Sequence, residues 1–295
     1  MNDFLHTRPA EFQAALEYTT ADTGFQPALI EKDYFCSLVL RQVAMHEEVP
    51  LVFKGGTLLN KAYAGFYRLS EDLDFTISTE EGTPRSMRSR IAKEIENLLA
   101  EIIRSIPGLT MVEPLRGHNS STQYQAVLGY QTVTGTTGTI QFEVSQRELV
   151  LLPVEHPELR TILIDAISME PAVSAFPKRS LAMVEAYAEK VRAALTRRDP
   201  AIRDIFDIDY ATSAKTLDLS NLELQNLIVQ KIRQPGNQLQ STEGLRLEAL
   251  RQQIETGLRP VLRARDFTAF DFERAVVNLR SLENVVAKIL RDQLN

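Results

Sequence analysis

Two aspartates, Asp72 and Asp74, stand at the start of an alternating segment that is typical of a β-strand. Successive side chains of a strand point to opposite faces, so both carboxylates lie on one face, about 6.5–7 Å apart along the chain. Such a pair suits Mg²⁺, or Mn²⁺ in its place, because hard cations take carboxylates together with substrate phosphates. Two such ions can align an attacking oxygen and a leaving pyrophosphate. The alternative is a solvated strand end.

A glycine pair precedes these aspartates. Gly55 and Gly56 follow an apolar strand predicted over 51–54, and Thr57 opens a short helix predicted over 57–66. Glycines let a ligand come close to the backbone, and a helix N-terminus offers N–H groups to phosphate. The segment therefore indicates a phosphate-binding turn, with an ordinary strand-to-helix turn as the alternative. It is not a P-loop, because the G-x-x-x-x-G-K-[ST] spacing is absent.

Two lysines are candidates for contact with phosphate. Lys54 flanks the glycine turn, where a structural role is the alternative. Lys190 lies in a predicted helix, 180–198, and borders its apolar stripe, so it can point into a cleft. A lysine is a compact cation that suits the neutralisation of phosphate charge as pyrophosphate departs. The alternative for Lys190 is a solvated helix lysine.

The elements that must position these residues change in kind along the chain. The first part mixes helices with strands, whereas only helices are predicted after Pro177, which indicates an α+β fold with a mixed β-sheet, flanking helices and a helical C-terminal domain. The boundary is predicted near residue 176, which gives domains 1–176 and 177–295. The predicted strands are 51–54, 73–78, 110–115, 122–133, 138–145, 148–154 and 161–167. The predicted helices, besides the two already given, are 8–22, 26–46, 84–107, 201–213, 221–232, 242–257 and 271–293.

Composition excludes several classes of protein. The chain of 295 residues has 44% hydrophobic and 24% charged residues, which is a globular balance. One cysteine, Cys36, cannot make a disulfide framework, and four scattered histidines show no metal-ligand spacing. No apolar run approaches the roughly 20 residues that span a bilayer, and the N-terminus lacks the pattern of a secretory signal. We therefore expect a cytoplasmic protein without a membrane partner.

The order of these motifs resembles a known superfamily. A strand, Gly-Gly-Thr, a short helix and Asp-x-Asp on the next strand are similar to nucleotidyltransferases with the polymerase beta-like fold. More closely, the chain resembles the AbiEii/AbiGii toxin family of nucleotidyltransferases. The segments that carry this resemblance are KGGTLLNKAY (54–63), RLSEDLDFTI (68–77), EKDY (31–34), AEKVRAALTR (188–197) and RDIFDI (203–208).

The resemblance implies a role for each matching residue. Gly55, Gly56 and Thr57 would hold nucleotide phosphates, and Asp72 and Asp74 would bind Mg²⁺. Lys190 would meet the triphosphate, and an aspartate shortly after it would complete the set. Asp204 is the first choice for that aspartate and Asp207 is the second.

One further carboxylate follows from the wider superfamily, whose classical members add a third acidic residue from a neighbouring strand. Glu143 is the candidate because it lies on the polar face of strand 138–145, opposite Ile140, Phe142 and Val144. The toxin branch does not always need this group. A cross-strand ion pair with Lys or Arg is the alternative role for Glu143.

The implied function is Mg²⁺-dependent transfer of a nucleotide from NTP to an acceptor hydroxyl. The resemblance implies an RNA acceptor, with the 3′ end of tRNA as the expected one, and a toxin of a bacterial toxin–antitoxin pair that acts in abortive phage defence. The cognate antitoxin would be a separate protein. The alternatives are nucleotide transfer to a protein or small-molecule hydroxyl, and a non-catalytic module that binds nucleotide or antitoxin.

Overall fold

The computed structural model describes residues 4–78, 83–146 and 148–292. It divides into an N-terminal unit, Met1–Leu181, and a C-terminal unit, Ala182–Asn295. The N-terminal unit combines helices with a mixed sheet, and the C-terminal unit is helical. The predicted α+β fold class is therefore confirmed.

The first two helices of the N-terminal unit begin with proline, whose fixed φ suits the first helical turn. Gly24, at φ 81°, ends the first of them in the left-handed conformation that glycine adopts without strain. The second helix buries most of its residues and packs against the sheet. The helices of this unit are α1 (Pro9–Thr23), α2 (Pro27–Met45), α3 (Gly55–Leu58) and α4 (Arg85–Ser105), and Leu59–Tyr63 continues α3 as a π-helical turn.

Five strands form the main sheet of this unit in the order β1-β2-β5-β4-β3. The central strands β2 and β5 are parallel, and the other neighbouring pairs are antiparallel. The parallel pair places β2, which follows the glycine turn, beside β5, which lies more than 60 residues later in the chain. The strands are β1 (Val52–Lys54), β2 (Asp72–Thr76), β3 (Leu109–His118), β4 (Gln123–Gln131) and β5 (Thr137–Ser145).

The two faces of the sheet differ in polarity, as the alternation along each strand predicts. One face is apolar and buried, with the rings of Phe75 and Phe142 at 4.8 Å between centroids. The other face, which we call the polar face, is only half-buried to exposed around its carboxylates and amides. We define the polar face by Asp72, Asp74, Gln123, Gln125, Gln141 and Glu143.

Two predicted strands, 148–154 and 161–167, are wrong, and both segments lie within the described part of the chain. Their backbone is irregular, and this unit continues instead with the short strands β6 (Glu158–Leu159) and β7 (Phe176–Pro177). The backbone N–H of Ile162 donates to the Asp33 carboxylate at 3.1 Å, and the N–H of Ile164 donates to the Thr19 hydroxyl at 3.0 Å. Side chains of α1 and α2 thus replace the neighbouring strand that the apolar pattern suggested.

In the C-terminal unit the first helix packs against both the second and the third, and the last helix contacts all three. Asn221 caps the third of these helices by accepting from the backbone N–H groups of Glu223 and Leu224. The sequence did not predict the short helix at 264–269. The helices are α5 (Met183–Thr196), α6 (Ile202–Ser213), α7 (Leu222–Ile232), α8 (Gly244–Gln253), α9 (Ala264–Ala269) and α10 (Phe272–Asp292). Among the helices that the structure describes, none has the length and apolar character to cross a membrane.

Candidate active site

The predicted metal ligands lie at the start of β2, on the polar face. Asp72 and Asp74 alternate with Leu73 and Phe75, which are fully buried on the opposite face. The two carboxylate residues themselves are half-buried. A strand therefore places both acidic groups on the accessible side of a rigid sheet.

The parallel pairing of β2 with β5 brings a third carboxylate beside them. Asp74 is in register with Glu143, and Asp72 is in register with Gln141. Residues that face each other on neighbouring strands project from the same side of the sheet, so Asp72, Asp74 and Glu143 share the polar face. This register brings Glu143 beside Asp74. A role for Glu143 in a reaction stays a prediction.

Among the residues that the structure describes, the partners of Glu143 are amides, whereas the sequence offered a Lys or Arg as the alternative. The Gln125 amide donates to one carboxylate oxygen of Glu143 at 2.8 Å, and the Gln123 amide donates to the other. These two side chains come from β4, the next strand along the sheet. Because both oxygens accept a hydrogen bond, the orientation of the Glu143 carboxylate is fixed.

The glycine turn is tightly packed against two charged side chains. Gly55 has φ of +80°, and a Cβ at that position would collide with the Asp74 carboxylate. A Cβ at Gly56 would collide with the Arg68 guanidinium and lie 3.1 Å from the Ser70 hydroxyl oxygen. The glycines are thus required for the approach of the chain's own Asp74 and Arg68. Phosphate binding by this turn stays a prediction.

Thr57 and Lys54 each make a contact that stabilises the turn. The Thr57 hydroxyl donates to the backbone oxygen of Asp72 at 2.6 Å, which ties α3 to the first residue of β2. Lys54 is in register with Asp74 across β1 and β2, and its amine forms an ion pair with Glu148. The structural alternative that the sequence offered for Lys54 therefore has a named partner.

Lys61, which like Lys54 flanks the glycine turn, is the centre of a buried network in this unit. Its amine lies 2.6 Å from Asp33 and 2.7 Å from the Ser37 hydroxyl, both on α2. The other Asp33 oxygen accepts from Ile162 and from the Thr161 hydroxyl. The Asp33 of the EKDY segment therefore joins α2, the π-helical turn and the irregular segment after β6. In the sequence, the signal for such a brace is a charged residue such as Asp33 within an otherwise apolar stretch.

Arg68 is a second residue whose position only the structure reveals. Its side chain is among the largest that are fully buried, with 2% of the residue exposed. Its guanidinium lies under the glycine turn, against the position where Gly56 lacks a side chain. A large charged residue directly before the Ser-Glu-Asp-Leu-Asp segment was a visible signal, but its burial was not.

The remaining predicted site residues meet one another in the C-terminal unit. The Lys190 amine, on α5, lies 2.8 Å from the Asp204 carboxylate and 2.9 Å from the Asp207 carboxylate, both on α6. The two aspartates are three residues apart, so they lie on the same face of their helix. The choice between Asp204 and Asp207 is therefore not exclusive, because both contact the lysine.

Burial and charge distinguish the members of this cluster. The side chains of Asp204 and Asp207 are 3% and 0% exposed, whereas Lys190 retains 13%. The Arg197 guanidinium lies 2.9 Å from the second Asp204 oxygen, and its side chain is half exposed. Burial, together with the nearby charge of Asp207, raises the pKa of Tyr187 well above its usual value. The cluster therefore combines two cations, Lys190 and Arg197, with the two carboxylates of Asp204 and Asp207.

Glu189, the neighbour of Lys190, faces a different helix. It lies 3.1 Å from the Lys231 amine of α7, and Glu185 lies 2.6 Å from the same amine. Glu185 and Lys231 are fully buried. Because adjacent helix residues project about 100° apart, one residue of the Glu189-Lys190 pair braces α5 on α7 while the other contacts α6.

The polar face has the donor chemistry for a hard divalent cation. Asp72 and Asp74 supply carboxylate oxygens, and Mg²⁺ commonly uses one or two carboxylates with substrate phosphates as its other ligands. Within residues 4–78, 83–146 and 148–292, no three His, Cys, Asp or Glu side chains form a ready-made metal cluster. Two carboxylates on one accessible face fit a divalent cation whose remaining ligands come from substrate phosphates.

Comparison with models of protein families identifies the family of this chain. Residues 38–277 match the family model described as nucleotidyl transferase AbiEii toxin, type IV toxin–antitoxin system. The match covers most of the chain and includes β1 to β5 and α5 to α9. Comparison with curated proteins gave no match.

Proposed function

We propose a specific reaction for this chain, which belongs to the AbiEii family of nucleotidyl transferase toxins of type IV toxin–antitoxin systems. The protein transfers a nucleoside monophosphate from NTP to the terminal hydroxyl of an RNA, with the 3′ end of tRNA as the acceptor. The family implies a nucleotide substrate and a cognate antitoxin. The acceptor, the use of Mg²⁺ and a role in phage defence are parts of the proposal.

The chemical step is an in-line displacement at phosphorus. The acceptor hydroxyl oxygen forms a bond to the α-phosphorus, and the bond from the α-phosphorus to the oxygen that bridges to the β-phosphate breaks. The hydroxyl proton is lost to a base or to water, and pyrophosphate leaves with the electron pair. The product is an RNA extended by one nucleotide.

The observation that carries this proposal is the register of β2 and β5. It places Asp72 and Asp74 on one half-buried face with Glu143 beside Asp74. Asp72 and Asp74 would hold Mg²⁺, which when bound lowers the pKa of an attacking hydroxyl and neutralises charge on the phosphates. We propose that the Glu143 carboxylate, which two amides orient, accepts the proton of the acceptor hydroxyl.

Lys190 is proposed to bind the triphosphate through its amine. The contacts with Asp204 and Asp207 hold the lysine side chain in one orientation. Asp204 and Asp207 are accordingly positioning residues, since they contact the lysine. The convergence of Lys190 with Asp72 and Asp74 on one triphosphate is part of the proposal, and it rests on the family's motif order.

Transfer is tested by incubating the protein with labelled NTPs, Mg²⁺ and total tRNA. We expect label on the RNA, and we expect Asp74→Asn to lower kcat by on the order of 10³-fold, because several kcal/mol of charge stabilisation is lost. Asp22→Asn, an exposed aspartate on α1, is the matched control and should keep full activity. Chelation of divalent ions should abolish transfer by the wild type.

Other outcomes distinguish the alternatives. Label on protein and not on RNA would favour transfer to a protein hydroxyl. Saturable NTP binding without transfer to any acceptor would favour a non-catalytic binding module. An Asp74→Asn variant that retains wild-type activity would refute the mechanism.

For the cellular role, we propose that extension of the tRNA 3′ end blocks aminoacylation and so stops translation. The expected phenotype is growth arrest on expression of the wild type, relieved by the cognate antitoxin. Folded Asp74→Asn protein should not arrest growth. Growth arrest by the Asp74→Asn variant at equal expression would show that toxicity does not depend on nucleotide transfer.

A further inference from the structure

The polar face continues past the carboxylates to the edge of the sheet. The cross-strand register runs from Asp74 on β2 to Glu143 on β5, then to Gln125 on β4 and Arg116 on β3. Every residue of this row is polar, whereas the two flanking rows of the opposite face are buried on β2, β5 and β4. One continuous polar strip therefore joins the aspartates to an arginine on the edge strand.

A pocket of about 250 Å³ lies at the edge end of this strip. Within the part of the chain that the structure describes, the side chains of Arg116 and His118 make no ion pair or hydrogen bond. Both residues are exposed. The pocket is lined chiefly by Glu113, Pro114, Arg116, His118, Gln125 and Gln141.

The strand that carries Arg116 and His118 is held in place although it is an edge strand. Two register shifts along β3, between Met111 and Glu113 and between Glu113 and Arg116, change the direction of its side chains. Arg88 of α4 donates to the backbone oxygens of Ser120 and Ser121 at 3.2 and 3.0 Å, which anchors the turn after β3. The pocket is thus built on a fixed hairpin.

The chemistry of the pocket suits a ribonucleotide backbone. An arginine guanidinium binds phosphate in a bidentate geometry, and an imidazole adds a second donor. The Glu113 carboxylate is an acceptor for a ribose hydroxyl, which is the group that distinguishes RNA from DNA. Three strand spacings, about 14 Å, separate the backbones of Asp74 and Arg116, which a few nucleotides cover at about 3.4 Å each.

We infer that the pocket around Arg116 and His118 binds a backbone phosphate of the RNA acceptor, a few nucleotides away from the reacting hydroxyl. This inference rests on the proposed function, because the acceptor's hydroxyl must reach Asp74 and Glu143. It adds a subsite that selects polymeric acceptors over mononucleotides. Gln125 connects the pocket with the carboxylates, since its amide orients Glu143 and its side chain lines the pocket.

The test compares Arg116→Ala with Arg90→Ala. Arg90 is an exposed arginine of α4 that pairs with Glu94 of the same helix, so its removal matches the charge change at another element. With saturating NTP and Mg²⁺, we expect Arg116→Ala to raise KM for total tRNA about tenfold with kcat little changed. Arg116→Lys should recover part of this loss, and KM for NTP should stay at the wild-type value.

Direct binding separates the subsite from the reaction. Binding of total tRNA is measured by fluorescence anisotropy without NTP or Mg²⁺, over a range of salt concentrations. We expect Arg116→Ala to weaken binding and to reduce the salt slope by about one, as for one lost phosphate contact. Arg90→Ala should bind like the wild type.

The outcomes distinguish the subsite from the proposed function. Equal tRNA affinity of the wild type and Arg116→Ala overturns the subsite, whatever the transfer assay gives. A fall in kcat with unchanged KM, or label on protein instead of RNA, also overturns it. Weaker binding by Arg116→Ala, together with no transfer by the wild type, supports the RNA subsite and rejects the proposed reaction.

Discussion

Two lysines of this chain lie against aspartates, and they differ in access to solvent. Lys61 is 1% exposed, and its amine contacts Asp33, the Ser37 hydroxyl and the backbone oxygen of Arg160. Lys190 retains 13% exposure, and its amine contacts two carboxylates, those of Asp204 and Asp207. The first lysine joins three segments of one unit, and the second lies between two helices of the other.

This difference separates a structural lysine from a candidate functional one. Around Lys61, the contacts come from a carboxylate, a hydroxyl and a carbonyl, so the lysine satisfies several buried polar groups at once. Around Lys190, two buried carboxylates face one partly accessible amine, and the half-exposed Arg197 shares one of them. Accessibility is what an amine needs to meet a phosphate, and burial among many partners is what a brace needs.

The comparison is tested most strongly by Lys61→Met. We expect the free energy of unfolding to fall by about 3–5 kcal/mol, because the buried Asp33 carboxylate loses its cation. Urea denaturation followed by circular dichroism measures the change. Lys93→Ala, which removes an exposed ion pair with Glu96, is the control and should change stability by no more than about 1 kcal/mol. A comparably small loss in Lys61→Met would contradict the bracing role.

Lys190→Ala tests the other half of the comparison. We expect NTP affinity to fall about tenfold, because an amine that faces the phosphates is lost. Titration calorimetry with each NTP and Mg²⁺ measures this affinity. Lys288→Ala, an exposed lysine of α10, should bind NTP like the wild type. Unchanged affinity in Lys190→Ala would count against its contact with the triphosphate, and a stability loss as large as that of Lys61→Met would make it a brace.

Buried Lys178 shows what happens when the nearest acceptor of a lysine amine is a backbone oxygen and not a carboxylate. Its amine donates to the backbone oxygen of Leu51 at 2.9 Å, and burial, followed by the nearby Arg179, lowers its pKa to about 8. Between this value and the ordinary lysine pKa of about 10.4, the unfolded chain binds more protons than the folded one. Stability from this residue therefore rises with pH in that window and is constant below it.

The measurement for Lys178 compares urea denaturation of the wild type and Lys178→Met from pH 7 to 9.5. We expect the stability of the wild type relative to the variant to increase above pH 8, by at most about 1.4 kcal/mol per pH unit. A constant difference would show that the folded-state pKa is not lowered.

Alkylation of the Cys36 thiol is the smallest of the expected effects, and its rate reports whether the region around Lys61 opens. It is fully buried on α2, and burial raises the pKa of its thiol to about 12. Because the thiolate is the reactive form, we expect no alkylation of the native protein during the time in which the urea-unfolded chain reacts completely. Mass spectrometry follows the labelling, and Lys61→Met should label faster than the wild type. Rapid labelling of the folded wild type would show that this region opens.

Local patterns predicted the elements that bear the candidate site. The alternation of Asp72, Leu73, Asp74 and Phe75 gave a strand with two acids on one face, and the structure has that strand over Asp72–Thr76. The alternation of residues 138–145 gave the buried face of β5, which is confirmed for Ile140, Phe142 and Val144. These features depend on neighbours within a few residues, so they are visible in the sequence.

Strand predictions failed where an apolar run had no neighbouring strand. Residues 161–167 have the composition of a strand, but Asp33 and Thr19 accept their backbone N–H groups. The partners lie more than 120 residues away in the chain. A local pattern reports that a segment is buried, and it does not report which group satisfies its backbone.

The sequence by itself determined residue types and their local geometry: two carboxylates on one strand face, a glycine turn before them, and two aspartates one helical turn apart. Only the tertiary structure decided the partners. It placed Glu143 beside Asp74, Arg68 under Gly56, Lys61 on Asp33 and Lys190 between Asp204 and Asp207. The physical reason is that periodicity fixes the direction of a side chain within its element, whereas strand order and helix packing determine what that side chain meets.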